Sequence, residues 1–461
     1  MQAFREEPRL FLDELHFFIH SMCAISRRNQ TIPVTTTIKK PAPRRCAVPH
    51  PANKPTPTRH GDVLTWATDL DDRTLAQAHR TANLDFVYKP LALMADAHLG
   101  MGATIGSVVA TEDSIIPAAV GVDIGCGMVA QKTVLTREQI DAHLPKIHNG
   151  IRKAIPSGQP RRGDRNAGSH PIGVRSKALD RLVRTAPPVQ SDRFNANKIA
   201  AQFGTLGGGN HFVELTVDET DQVWVVLHSG SRGPGNLFAQ EHIGKARNAM
   251  KKVLDEPLAD PDLAHFVQGT NEFDKYIYGM LWAQDYALEN RGQMMHAVMQ
   301  VIARVMHDSD LVPHVSVSAD SAVDGAQIQC HHNYASCEVH HDREMWVTRK
   351  GAIDASAGKW GIIPGSMATG SFVVSGCGNP DSYRSASHGA GRRMSRTAAR
   401  KQLSVQSLIS AMDGIAWNND AEALLDEHPD AYKDIGEVMD NQSDLVQVEY
   451  RLETILNYKG T

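Results

Sequence analysis

The chain has 461 residues, enough for two or three domains or for one large α/β body with insertions. Hydrophobic residues make up 41% and charged residues 22%, close to the balance of a globular enzyme with a large core. The formal net charge of −4 excludes nucleic-acid binding through the overall field, so any such binding has to rest on local basic patches.

Residues 1–60 carry ten Lys/Arg against four Asp/Glu. The apolar stretch Leu10 to Ile25 is interrupted by Asp13, Glu14, His16 and His20, so it is a poor signal sequence and too short to span a bilayer. Residues 31–59 hold Pro33, Pro41, Pro43, Pro49, Pro51, Pro55 and Pro57 among threonines and basic residues, the composition of a linker. Residues 1–60 are therefore expected to be a disordered or extraneous extension, and residues 61–461 the body. The six cysteines, Cys23, Cys46, Cys126, Cys330, Cys337 and Cys377, contain no C-x-x-C pair. Their spacing suggests a reducing, cytoplasmic compartment, with neither secretion nor membrane insertion.

Within the body, Arg73–Thr81 reads as a helix and Val223–Leu227 as a strand, followed by a turn over Ser229–Gly235. Residues 235–310 are predicted to form a helical insertion or lobe, with Met, Ala and Leu recurring at helical spacing over Gly235–His307.

Five segments set a potential metal or phosphate ligand in a glycine-rich turn, 96–106, 121–128, 206–214, 227–235 and 387–396, and a sixth, 330–334, carries such residues without glycine. Asp123 and Cys126 lie three apart in a loop of alternating glycines, which lets the backbone aim both at one ion. A carboxylate beside a thiolate suits Mn, Co, Ni or Zn. Taken alone, the pair reads better as a buried cysteine beside a turn-capping aspartate. His211 follows Asn210 before an apolar-acidic run, and His228 ends the strand run, a good place for a ligand or for a satisfied loop histidine. His331 and His332 face opposite sides if they lie on a strand, so one of them can enter a site. His340 and His341 fall in a charged stretch and are assigned to solvent.

His388 sits among Ser387, Gly389, Ala390 and Gly391, with Arg392, Arg393 and Arg396 following. Small residues let a phosphate approach the ring, and arginines hold oxygens that gain charge in phosphoryl transfer. A basic helix start with an exposed histidine accounts for the composition as well. Pro364 to Met367 forms a turn able to cradle an anion, and Arg161, Arg162 and Arg165 form a basic loop able to follow an RNA backbone.

Together and in this order, these segments resemble the RtcB family of GTP-dependent RNA ligases, from about Thr65 to Gly460 and including the tail AYKDIGEVMDNQSDLVQVEY. The resemblance implies a single mixed α/β body with antiparallel sheets around a dinuclear metal site, outer helices and the helical insertion. It implies two Mn²⁺ ions, one held by Asp123, Cys126 and His211, the other by Cys126, His228 and His332. It makes His388 the nucleophile that takes the guanylyl group of GTP. It also implies GMP contacts from Asn210, His211, Phe212, Val213, Glu214, His332 and Asn333. Further GMP contacts would come from Pro364, Gly365, Ser366, Met367, Ser371, His388, Gly389, Ala390, Gly391 and Lys459. RNA or phosphate contacts are expected from Arg392, Arg232 and His98.

The implied substrates are RNA 3′-phosphate or 2′,3′-cyclic phosphate ends and 5′-hydroxyl ends. An archease-type activator is a candidate partner, a monomer is expected, and no membrane is involved. The chain departs from the family at Ala95, usually proline, and at Met101, often lysine. Two rival readings use the same residues: a dinuclear phosphoesterase acting on RNA ends, which needs neither His388 nor Lys459, and a non-catalytic RNA-end binding protein.

Overall fold

Val223–Leu227 is apolar at every position, which suits a strand covered on both faces. In the computed structural model, which describes residues 57–158, 176–254, 256, 258–307 and 327–460, it lies within the strand Gln222–Ser229 in the interior of a seven-stranded antiparallel sheet. The proline-rich stretch before residue 57 and the loop of Arg161, Arg162 and Arg165 lie outside the described residues.

The strands of that sheet run in the order Ile328–His331, Gly127–Thr136, Gln222–Ser229, Phe212–Val217, Val446–Lys459, Ser371–Gly376 and Trp360–Pro364. A six-stranded sheet, Thr58–His60, Val63–Thr65, Leu91–His98, Ile105–Thr111, Arg343–Lys350 and Asn333–His340, packs across its inner face. Trp224 and Val226 from one sheet and Met94, Val108 and Val347 from the other meet in this core. The alternate residues Val223, Val225 and Leu227 point the other way, into a second core with Ile147, Met294, Val298 and Ile302 of the outer helices.

Strand Thr58–His60 pairs with Val63–Thr65, so the body begins upstream of the expected boundary at residue 61. The pairing gives the end of a linker-like composition a regular partner. The expected turn over Ser229–Gly235 is cut short, because a helix begins at Arg232 and runs to Val253, with Pro234 tolerated in its first turn. The predicted helical region also contains Asn271–Met306, 36 residues or about 54 Å at 1.5 Å per residue. This helix lies on the body: Tyr276, Met280 and Tyr286 fill a third core, while Met294 to Ile302 complete the second. Among the described residues no helix is long and apolar enough to cross a membrane.

Candidate active site and metal centre

Four neighbouring strands of the seven-stranded sheet deliver side chains to the same end. Register pairs Gly127 with both His331 and Ser229, and Phe212 with His228. Cys126, His332, His228 and His211 occupy these strand ends or the adjoining residues and meet. Cys126 Sγ lies 3.2 Å from both His211 Nε2 and His228 Nε2, His228 Nε2 lies 3.2 Å from His332 Nε2, and Asp123 Oδ2 lies 3.1 Å from His211 Nε2. Gly230 makes room for that carboxylate, since a Cβ there would fall 2.2 Å from Asp123 Oδ1.

The donor set fits a divalent ion. Cys126, His211 and His228 are all buried, with ligand atoms within 4.8 Å of one another. Two donors on one ion at about 2.1–2.3 Å stand about 3.1–3.6 Å apart for angles between square and tetrahedral, which brackets the observed spacing. Burial lowers His211, His228 and His332, so all three rings are neutral and able to ligate. Burial, and then the charge of Asp123, raises the Cys126 thiol well above its ordinary value, so a bound cation is what would favour its thiolate. Burial would also raise Asp123, but its hydrogen bond with His211 and the charge of Arg232 hold it below the usual carboxylate range. Carbonyls orient the rings from behind: Leu206 O lies 3.0 Å from His211 Nδ1 and Asn210 O lies 3.2 Å from His228 Nδ1.

These side chains open into a cavity of about 440 Å³, the size of a nucleotide-scale cleft. His388 is on its wall, directly after the short strand Ser385–Ser387, with its ring centroid 4.8 Å from that of His332. Its Nδ1 lies 2.6 Å from Oδ2 of the fully buried Asp96, leaving Nε2 on the opposite edge of the ring. Asp123, Cys126, His228, His332 and Asn333 line the same cavity. So do Asn210, Phe212, Pro364, Gly365, Ser366 and Met367. Gly389, Ala390, Gly391, Arg392, Lys459 and His98 complete the expected residues on its wall. Burial brings His98 down to about 4.

Other expected site residues stand back from the wall. Strand alternation turns Val213 into the core beneath the helices. Glu214 is buried, accepts a 2.7 Å hydrogen bond from Asn457 Nδ2 and is raised to about 8 by burial. Ser371, paired in register with Pro364, lines a separate groove. Arg232 lies beside the Cys126–His211 cluster, with Nη1 3.0 Å from His211 Nδ1. His331 faces away from the cavity, as the adjacency of the two histidines implied, with Nδ1 3.2 Å from Arg291 Nη2. His340 is a correction: it is 3% exposed, with Nε2 2.8 Å from Glu338 Oε2, because strand alternation carries it inward from a charged stretch. His341 is exposed.

Three parts of the surroundings were not singled out from the sequence. Asp96 belongs to a segment chosen for its histidine, and the acidic residue turns out to reach the nucleophile candidate. Glu427, 2% exposed, contacts Lys459 Nζ at 3.1 Å and Arg392 Nη1 at 3.3 Å. Burial would raise it, but Lys459 and Arg396 bring it to about 2. Asn290 and Arg291 are fully buried in the long helix, a polar pair at core positions that helical periodicity could have flagged.

The structure thus defines a mixed α/β protein with a group able to hold a metal ion on the floor of a nucleotide-sized cavity, facing a histidine backed by a carboxylate. Residues 77–460 match the family model described as tRNA-splicing ligase RtcB. The chain is 44% identical over 410 residues to the RNA-splicing ligase RtcB of Escherichia coli K12, covering 87% of this chain and 98% of that protein. It is 30% identical to the tRNA-splicing ligase RtcB of Methanococcus maripaludis, covering 81% and 88%. Against the Aeropyrum pernix protein of the same name it is 29% identical, covering 80% and 87%. The chain belongs to the RtcB family.

Proposed function

We propose that this RNA ligase uses GTP to activate itself on His388 and joins RNA 3′-phosphate or 2′,3′-cyclic phosphate ends to 5′-hydroxyl ends. The observation that supports this most directly is the His388–Asp96 pair facing the cluster around Cys126 across one cavity. In the proposed first step, Nε2 of His388 attacks the α-phosphorus of GTP and pyrophosphate departs. The Nδ1 proton stays beside Asp96, whose charge stabilises the cationic ring formed by the attack. The guanylyl group then passes to an RNA 3′-phosphate, which a 2′,3′-cyclic end supplies after water opens the cyclic diester, and attack by a 5′-hydroxyl seals the junction with GMP leaving.

Asp123, Cys126 and His211 would hold one manganese ion, and Cys126, His228 and His332 a second, with the thiolate shared. When bound, such a pair polarises phosphoryl oxygens and lowers the pKa of a bound water or hydroxyl. Asn210, Phe212, Asn333, the Pro364–Met367 turn and the His388–Gly391 loop would bind the nucleotide. Ser371, Val213 and Glu214 belong to this proposal from behind the wall. Glu214 would accept from the N–H groups on guanine's pairing edge, which adenine lacks. Lys459 Nζ, 5.7 Å from the Phe212 ring centroid, would neutralise charge beside the base. Arg392, Arg232 and His98 are proposed for the RNA phosphates.

The test is incubation with α-labelled GTP and Mn²⁺, followed by ligation of an RNA 3′-phosphate to a 5′-hydroxyl. An acid-labile, alkali-stable adduct lost in His388→Ala, together with a joined product, is expected. Hydrolysis of the phosphorylated end with no adduct would replace this reading with that of a phosphoesterase.

A further inference from the structure

The long helix Asn271–Met306 buries apolar residues towards both ends, yet its middle carries Asn290 and Arg291, each 0% exposed. Arg291 Nη1 donates to the Gly125 carbonyl at 2.8 Å and to the Ser229 carbonyl at 2.9 Å, and Nη2 lies 3.2 Å from His331 Nδ1. Each partner is the chain neighbour of a cluster residue. Gly125 precedes Cys126, Ser229 follows His228, and His331 precedes His332. Asn290 reaches the approach to His211: its Oδ1 accepts from Gly204 N at 2.7 Å, and its Nδ2 donates to the Thr205 carbonyl at 3.3 Å.

These loops also press on the helix itself. Gly125 has φ +72°, and a Cβ there would fall 2.8 Å from Gln284 Cα. Among the described residues, no carboxylate lies within ion-pair distance of Arg291. A buried guanidinium with neutral partners contributes less to stability than a well-packed apolar side chain. Its planar fork holds two carbonyl acceptors at fixed angles beside the His331 ring, whose Nδ1 also lies 2.9 Å from the Gly125 carbonyl, a geometry that an ammonium on a flexible stem does not match.

We propose that Arg291 is a positioning residue for the metal centre, fixing the segments that carry Cys126, His228 and His332 in one arrangement and so setting the affinity for a divalent ion. The proposal rests on the metal-binding reading above. Outer partners of this kind typically change metal affinity by roughly 10- to 100-fold when lost.

The experiment titrates full-length protein with Co²⁺, following the thiolate-to-cobalt charge-transfer band, and with Mn²⁺ by calorimetry. Wild type, Arg291→Lys and Arg291→Met are compared, with thermal unfolding run alongside. Expected are folded variants with Co²⁺ and Mn²⁺ dissociation constants raised roughly tenfold for lysine and toward 100-fold for methionine, and a weakened or shifted band. Adduct formation should then need more Mn²⁺ while reaching a similar maximal rate at saturation. A folded variant with wild-type affinity and an unchanged band overturns the proposal. If methionine prevents folding, the lysine variant decides. If both variants are insoluble, Arg291 serves the fold as a whole and the proposal fails. A wild-type protein that binds neither ion would instead sink the metal-binding reading itself.

Discussion

Cys126, His211, His228 and His332 owe their positions to the register of four adjoining strands, whereas His388 owes its position to a three-residue strand, a glycine loop and one carboxylate. The first arrangement shares its load among many backbone hydrogen bonds. The second concentrates it in the contact with Asp96. On the proposed mechanism the two sides of the cavity should therefore fail differently: the Cys126 side by losing a bound ion, the His388 side by losing reaction rate with the ion still bound.

The sharpest break in this comparison is the pair Cys126→Ala and His388→Ala. Both should take guanylylation below about one-thousandth of the wild-type rate. Only the cysteine variant should also lose Co²⁺ binding, as read from the charge-transfer band. An adduct still formed by Cys126→Ala would remove the shared-ligand role. Next in size, Asp96→Asn should slow adduct formation on the order of 100-fold with metal affinity retained. A matched loss of Co²⁺ affinity in that variant would show that the two sides are not separable.

A smaller effect concerns Glu214, which burial raises to about 8. Between the unfolded value of about 4.3 and that folded value, the native chain keeps a proton that the unfolded chain releases, so stability falls as pH rises through this window. Glu214→Gln removes the dependence. Its Tm relative to wild type should increase from pH 5 to pH 8 and level off above; a flat difference would mean that the carboxyl ionises freely. Smallest of all, removing residues 1–56 should leave ligation unchanged. A cut at residue 60 deletes the edge strand Thr58–His60 and should lower Tm by a few degrees.

The sequence exposed the ligand types, and family resemblance supplied their grouping. Cys126, His211 and His228 are separated by long stretches, and the sheet register that unites them is a non-local property that no window of residues encodes. His228 was legible as a strand end, because the run before it alternates between two buried faces. His340 was not, since a charged neighbourhood conceals an inward-facing strand position. Asp96 was hidden by the adjacent histidine in the same motif. The Asn290–Arg291 pair was visible in principle, as two polar residues on the apolar side of a helix, but without the surrounding loops it has no assigned task.

The strand Val446–Lys459 lies between Phe212–Val217 and Ser371–Gly376, with Lys459 opposite Phe212. The outer strands Ile328–His331 and Trp360–Pro364 touch each other, but on the other side the two parts of the sheet are joined only by this late segment, which brings together residues far separated along the chain at a high entropic cost of loop closure. A polypeptide interrupted before residue 446 would leave two unpaired sheet edges facing each other, an invitation to self-association. During synthesis, the cavity that Lys459 lines would be completed last, long after the cysteine and histidines around it had left the ribosome.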